Sequence, residues 1–301
     1  MKLRDAEERC VLLGDGTALR YYVVGRGPAV LLANGLAAPR EVWRDLVAQL
    51  SDRYRFLFWH YRGLDRDSAD PHVDAGVTAH AADACAILDA EGVARAAVIG
   101  WAMGVQVALE LFDCAPGRVA SLVLINGGAR PAWAKGDAQG TKGKLIAQAL
   151  RVAAKAPRLL DALARNGLRA PEAFTWARRL GLVGEQIDAD AFAQISGGLL
   201  RLDIPAYIDA LQRLARHDST PLLHCVDVPT LVIGGDRDPF TTRASLERLA
   251  REIRGAEYLM LPGATHYALL DHAERINLRI EKFWNERGYL GRARTSMPPG
   301  P

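Results

Sequence analysis

Two carboxylates and a histidine sit in loops late in the chain, in Gly234-Gly235-Asp236-Arg237-Asp238-Pro239 and Pro262-Gly263-Ala264-Thr265-His266-Tyr267. An imidazole titrates near neutrality, so it can take up and return a proton, and a neighbouring carboxylate can hold it in one tautomer. Far upstream, Gly100-Trp101-Ala102-Met103-Gly104 has a glycine two residues on each side of its apex. That is the pattern of a nucleophile elbow, in which strand and helix backbones pass too close for side chains at the glycines, but with alanine at the apex. A methyl group can neither attack a carbonyl nor release a proton. No covalent acyl intermediate can form on Ala102.

These residues need elements that place them side by side. Continuous apolar runs at 28–33, 55–59, 96–99 and 119–125 read as strands buried on both faces, separated by amphipathic helices at 43–50, 77–91 and 105–114. Alternation of that kind predicts a parallel sheet wrapped by helices. From about residue 129 to 217 the strand signals stop and only helical periodicity remains, broken by Pro157, Pro171, Gly181, Gly197 and Pro205. Strands resume at 229–235 and 256–260, and a helix spans 273–287. The expected organisation is a core of residues 1–128 and 219–288, an all-helical cap at 129–218 and a disordered tail at 289–301. The elbow, Asp236, Asp238 and His266 then all fall at carboxyl ends of parallel strands, where open α/β sheets collect their ligands.

Apex, acid and histidine in this chain order, with a helical insertion between the first and second, resemble the α/β-hydrolase superfamily over about residues 15 to 285. The texture is similar to bacterial ester, lactone or carbon–carbon-bond hydrolases with a G-W-S-M-G elbow. The resemblance implies an α/β-hydrolase fold, a mostly parallel sheet flanked by helices with an inserted cap. Carried over residue by residue, Ala102 occupies the nucleophile position, His266 is the general base and Asp238 orients it. Asp236 is the competing acid, with Asp238 favoured by its G-x-x-D spacing. Backbone N–H groups of Leu36, after Asn34-Gly35, and of Met103 form the oxyanion hole, and Asn34, Trp101, Trp133 and Tyr267 line the substrate pocket. The family's D-Y-R-G-x-G-x-S loop appears here as His60-Tyr61-Arg62-Gly63-Leu64-Asp65-Arg66-Asp67-Ser68, without the first aspartate and the second glycine.

Ala102 leaves three explanations open. A serine was replaced by design; or the chain diverged to non-covalent chemistry with His266 as base, as a hydrolase or as a lyase, cyclase or isomerase; or it is a catalytically silent ligand-binding protein. Substitute nucleophiles are lacking, since Cys85 and Cys114 lie on helices expected to face the core. All four cysteines, with Cys10 and Cys225, read as small buried hydrophobes in a reducing compartment.

Half of the 301 residues are hydrophobic and mean hydropathy is -0.02, enough for a sizeable core and too much for a disordered chain. With 38 Lys and Arg against 35 Asp and Glu, the net charge of +3 advertises no nucleic-acid partner. No stretch reaches the roughly 20 apolar residues of a membrane span, and the charged start of the chain is unlike a signal peptide, so the expected location is the cytoplasm. The sequence shows neither cofactor fingerprint nor metal-ligand spacing, so no cofactor or metal is expected.

Trp133, Phe174, Trp176, Phe192, Leu199, Leu200, Ile204 and Tyr207 supply the cap with enough apolar surface to roof a cleft, which points to a small apolar substrate. Residues 141–170 carry seven Lys or Arg against one Asp, with Lys144, Arg151, Lys155, Arg158, Arg165 and Arg169 at spacings that keep one helix face. The ordinary role of such a stripe is a solvated face; the alternative is docking of an acidic carrier protein. Affinity for such a partner, measured across ionic strength, is expected to fall as salt rises, and a salt-independent affinity excludes it.

Overall fold

The computed structural model describes residues 2–64, 74–131, 148, 161, 165–167, 170, 172–179 and 183–287. Its strands are β1 Glu7–Leu12, β2 Ala18–Gly25, β3 Ala29–Ala33, β4 Arg55–Trp59, β5 Ala96–Trp101, β6 Val119–Ile125, β7 Thr230–Gly235 and β8 Glu257–Leu261. They form one eight-stranded sheet in the order β1-β2-β4-β3-β5-β6-β7-β8. From β4 to β8 every neighbour is parallel, while β1 and β2 join the edge antiparallel.

The apolar runs are continuous because successive side chains enter different, equally buried layers. In β3, Leu31 and Ala33 join the cluster that packs against α2 Val77–Ala90 and α3 Gly104–Cys114; Val30 and Leu32 join the one that packs against α1 Arg44–Leu50 and the 273–287 helix. All four are fully buried. The edge pair β1 and β2 escapes a search for such runs. In β1 no residue is fully buried, and its Glu-Glu-Arg start gives little apolar signal.

Between β6 and β7 the described residues hold α4 Ala173–Arg179, α5 Ala189–Leu200 and α6 Ile204–Arg216, each an α-helix. After β7 come α7 Arg243–Glu252, α8 Ala268–Asp271 and α9 Ala273–Arg287. Among the described residues no helix is long and apolar enough to cross a membrane, and no cluster of side chains is suited to a metal ion. Trp133, the 289–301 tail and all of the basic stripe except Arg165 lie outside the described residues. Arg165 is turned inward: its guanidinium donates to the Leu200 and Leu202 carbonyls at the end of α5 and pairs with Asp161 at 2.8 Å. The cysteines depart from expectation. Cys10, Cys114 and Cys225 are exposed and Cys85 is half-buried: Cys10 lies on the edge strand β1, which has no fully buried residue, and Cys114 is the last residue of α3.

Glu91, at the carboxyl end of α2, locks the antiparallel edge to the rest of the sheet. Its side chain is 2% exposed and accepts from Arg9 of β1 at 2.8 and 2.9 Å, from the Tyr21 hydroxyl of β2 at 2.6 Å, and from Arg55 of β4. Burial alone would raise the carboxyl pKa, but hydrogen bonds from Tyr21 and Arg9 and the charges of Arg55 and Arg9 outweigh it and hold Glu91 below the usual carboxylate range. A depressed folded pKa means that this contribution is present above the unfolded value near 4.5 and is lost as pH falls through the lower folded value. Glu91→Ala is expected to cost about 3 kcal/mol in urea unfolding at neutral pH, with the difference from the parent narrowing below about pH 4; an equal cost at all pH values rejects the charge-based account.

Candidate active site

The turn from β5 into α3 is built by close backbone approach. A Cβ on Gly100 would collide with the carbonyl of Gly104, one on Gly104 with the carbonyls of Ala33 and Asn34, and one on Gly127 with the carbonyl of Ala102. Squeezed between them, Ala102 takes φ +54°, the left-handed region that costs a non-glycine residue about 1 kcal/mol. Its N–H donates to the Ile125 carbonyl at 3.0 Å. The turn therefore has the strained elbow geometry even though its apex bears only a methyl group.

The β3 loop lies against this apex: a Cβ on Gly35 would sit 3.3 Å from the Ala102 Cβ and 3.0 Å from the Trp101 ring. Leu36 and Met103 both line the cavity above it. Among the described residues, neither the Leu36 nor the Met103 N–H donates to a protein acceptor. Asn34 is placed differently from the pocket role expected of it. It is 2% exposed and turned into the core, where its Oδ1 accepts from the Trp43 indole and its carbonyl accepts from the Tyr61 hydroxyl at 2.7 Å. A buried indole N–H needs an acceptor, and Asn34 is the one it has.

On the opposite wall, the His266 Nδ1 and an Asp238 carboxylate oxygen are 2.8 Å apart. The other Asp238 oxygen accepts from the Phe240 and Thr241 N–H groups at 2.8 and 3.1 Å, and the side chain is fully buried. An ionised carboxylate only accepts, so in this pair Nδ1 is the donor and Nε2 is the ring nitrogen left for another partner. Asp236 does something else: it accepts from the Gly263 N–H at 2.6 Å and braces the histidine loop. Of the two carboxylates, Asp238, the one favoured by its G-x-x-D spacing, is the one paired with His266.

Two residues passed over in the sequence hold this arrangement. Asn126, fully buried just past β6 at φ +45°, accepts from the Gly235 N–H at 2.9 Å and donates to the Thr265 and His266 carbonyls at 2.7 and 3.0 Å. Its own carbonyl accepts from the Thr241 hydroxyl at 2.8 Å. One side chain therefore ties the acid loop, the histidine loop and the end of β6 together. Asp271, 2% exposed, accepts from the Thr265 N–H at 2.9 Å and the Gly184 N–H at 3.2 Å, joining the histidine loop to the segment before α5. A polar residue directly after an apolar strand, as in Asn126-Gly127-Gly128, was the available signal.

Ala102, Leu36, Met103, Trp101, His266 and Tyr267 all face one cavity of about 840 Å³. From the helices between β6 and β7, Trp176, Phe192, Leu199 and Tyr207 line it, whereas Phe174 stacks on Phe192 with ring centroids 5.1 Å apart. Burial pushes the Tyr207 phenol up, and burial together with the nearby Tyr207 does the same to Tyr267, so both stay neutral at physiological pH. Gln106, 2% exposed, also borders the cavity, and among the described residues its buried side-chain oxygen has no hydrogen-bond partner.

Residues 28–273 match the family described as the alpha/beta hydrolase fold. The chain belongs to that family. It is 33% identical over 274 residues to the polyketide synthase ThaQ of Burkholderia thailandensis, covering 87% of this chain but only 12% of the synthase's length. It is 29% identical over 252 residues to the pimeloyl-[acyl-carrier protein] methyl ester esterase of Neisseria meningitidis serogroup B, covering 81% of this chain and 88% of that protein. Among solved structures it is similar to the enol-lactonase from Burkholderia xenovorans LB400, with a TM-score of 0.73 at 24% identity over 92% of this chain and all of that one.

Asn126→Ala leaves the Gly235 N–H and the Thr265 carbonyl without partners in a buried place. The expected cost is about 3 kcal/mol in urea unfolding, together with broadened imidazole resonances of His266 by NMR. A stability change below about 1 kcal/mol rejects the role given to Asn126.

Proposed function

We propose that the protein is an acyl-group hydrolase of the α/β-hydrolase fold that works without a covalent intermediate, on a small and mostly apolar ester, thioester, lactone or activated carbon–carbon bond. The observation that carries this reading is the 2.8 Å pairing of His266 with Asp238 facing an elbow that keeps its strained backbone but has no hydroxyl. The free lone pair of His266 Nε2 takes a proton from the attacking water. The water oxygen bonds to the carbonyl carbon, the negative charge settles on the carbonyl oxygen facing the Leu36 and Met103 N–H groups, and the C–O or C–S bond breaks as the imidazolium returns its proton to the leaving group. Asp238 keeps the imidazole tautomer fixed throughout. Trp101 and Tyr267 form the pocket wall beside the reacting carbon.

The acyl chain arrives attached to an acidic carrier protein. Similarity to a segment of a polyketide synthase and to an esterase of an acyl-carrier substrate supports this, as do the basic residues of 141–170 and the half-exposed Trp176 indole at the cavity edge, with the Arg179 guanidinium 5.4 Å from its ring. In this reading 129–218 is a cap that closes over the core of 1–128 and 219–288, and the protein works in the cytoplasm. The missing hydroxyl favours one competing reading, a silent binder of the same ligands.

Turnover of acyl N-acetylcysteamine thioesters and p-nitrophenyl esters separates the two. The unmodified chain is expected to be active, His266→Ala to lose at least about 100-fold in kcat, and Asp238→Asn to lose somewhat less. Ala102→Ser is expected to add a burst of acyl-enzyme detectable by mass spectrometry. Turnover that survives His266→Ala rejects the base role, and ligand binding without turnover in either the unmodified chain or Ala102→Ser leaves the binder.

A further inference from the structure

Tyr207, the fourth residue of α6, and Tyr267, next to His266, both line the cavity. The Tyr267 ring centroid is 5.4 Å from that of Trp101 and 6.1 Å from the His266 imidazole, and Tyr267 also packs against the cluster of Val183, Ile187 and Ala191. Phe192, Ile195, Leu199 and Leu211 face the same space, so this wall is apolar. A phenylalanine at either position would fill the same volume. Tyrosine adds one hydroxyl, which inside a protein ordinarily finds a partner.

Neither hydroxyl has found one. Among the described residues, the Tyr207 and Tyr267 hydroxyls make no hydrogen bond, to each other or to any other group. Nor is either sealed off by packing, as the unpartnered Tyr258 hydroxyl is. Both phenols lie deep enough for burial to push their pKa up, while each residue keeps accessible surface. Accessible surface at that depth is surface of the cavity, so both O–H groups open into it. The two are also neighbours, since charge on Tyr207 would push the Tyr267 phenol up.

Neutral phenols donate. Two such donors on an apolar wall suit an uncharged acceptor, because they do not offset the hydration that a carboxylate would lose there. A ketone oxygen has two lone pairs, accepts from both phenols and brings no donor of its own. We infer that Tyr207 and Tyr267 form a two-donor subsite that selects acyl chains bearing a second carbonyl oxygen, held between the phenols while the acyl carbonyl lies at the elbow. The inference rests on the cavity being an acyl site. It goes further by naming the substrate class as oxoacyl and the side chains that recognise it.

Binding to the full chain, followed by titration calorimetry with amides, tests this without requiring turnover. The probes are octanamide, its monooxo isomers with the ketone at successive carbons, and the methylidene analogue of the tightest isomer, which keeps the shape but accepts no hydrogen bond. One isomer is expected to bind about tenfold more tightly than octanamide, and its methylidene analogue to lose that advantage. Tyr207→Phe and Tyr267→Phe are each expected to cut the ratio of ketone to octanamide affinity about threefold, and the double variant to bring it to about one. Equal binding of all isomers, a methylidene analogue as tight as its ketone, or a ratio that survives either phenylalanine variant overturns the inference while leaving the acyl site standing. A lowered melting temperature with an unchanged ratio assigns that tyrosine a packing role and overturns it as well. Should a variant not fold, the ketone and methylidene pair on the unmodified chain decides. If neither octanamide nor any isomer binds, the acyl-site reading itself fails and the inference falls with it.

Discussion

Backbone runs against backbone where β5 turns into α3, and the geometry of the site depends on that contact. The carbonyls of Ala33 and Asn34 lie where a side chain on Gly104 would be, and the carbonyl of Ala102 lies where one on Gly127 would be. Three strand ends, those of β3, β5 and β6, are thereby pressed to within backbone contact at one edge of the sheet. The apex is forced into a left-handed conformation, and among the described residues the N–H groups of Leu36 and Met103 donate to no protein acceptor. The crowding is backbone on backbone, so the elbow keeps its shape with only a methyl group at residue 102.

The other half of the site is held by polar side chains inside an apolar core. Asn126 and Asp271 are buried, and each satisfies groups from segments far apart in the chain, so the histidine loop is anchored both to the sheet and to the segment that leads into the helices above it. Networks like these are stable only when complete.

Much of the architecture was legible from the residues. Runs such as Ala29 to Ala33 and Val119 to Ile125 are apolar at every position because both faces of a central parallel strand are covered, and that pattern is unmistakable. The antiparallel edge was not legible, since β1 alternates, carries Glu7, Glu8 and Arg9 and is held by Glu91 from a distance of more than eighty residues. Asn34 was misjudged for a related reason. Its neighbours Gly35 and Leu36 face the site, but the partner that turns it inward, the Trp43 indole, belongs to a different element.

By itself the sequence determined the buried parallel strands from β3 onward and the helices α1 to α3 between them, the elbow pattern, the positions of His266 and the two carboxylates, and the absence of a hydroxyl at residue 102. These are properties of local pattern and residue chemistry. Tertiary structure alone decided that Asp236 is engaged by the Gly263 N–H while Asp238 meets His266, that Asn126 and Asp271 hold the loop, and that Asn34 belongs to the core. Each of those is a matter of which distant group supplies a hydrogen-bond partner, and spacing along a chain does not specify partners brought together by folding.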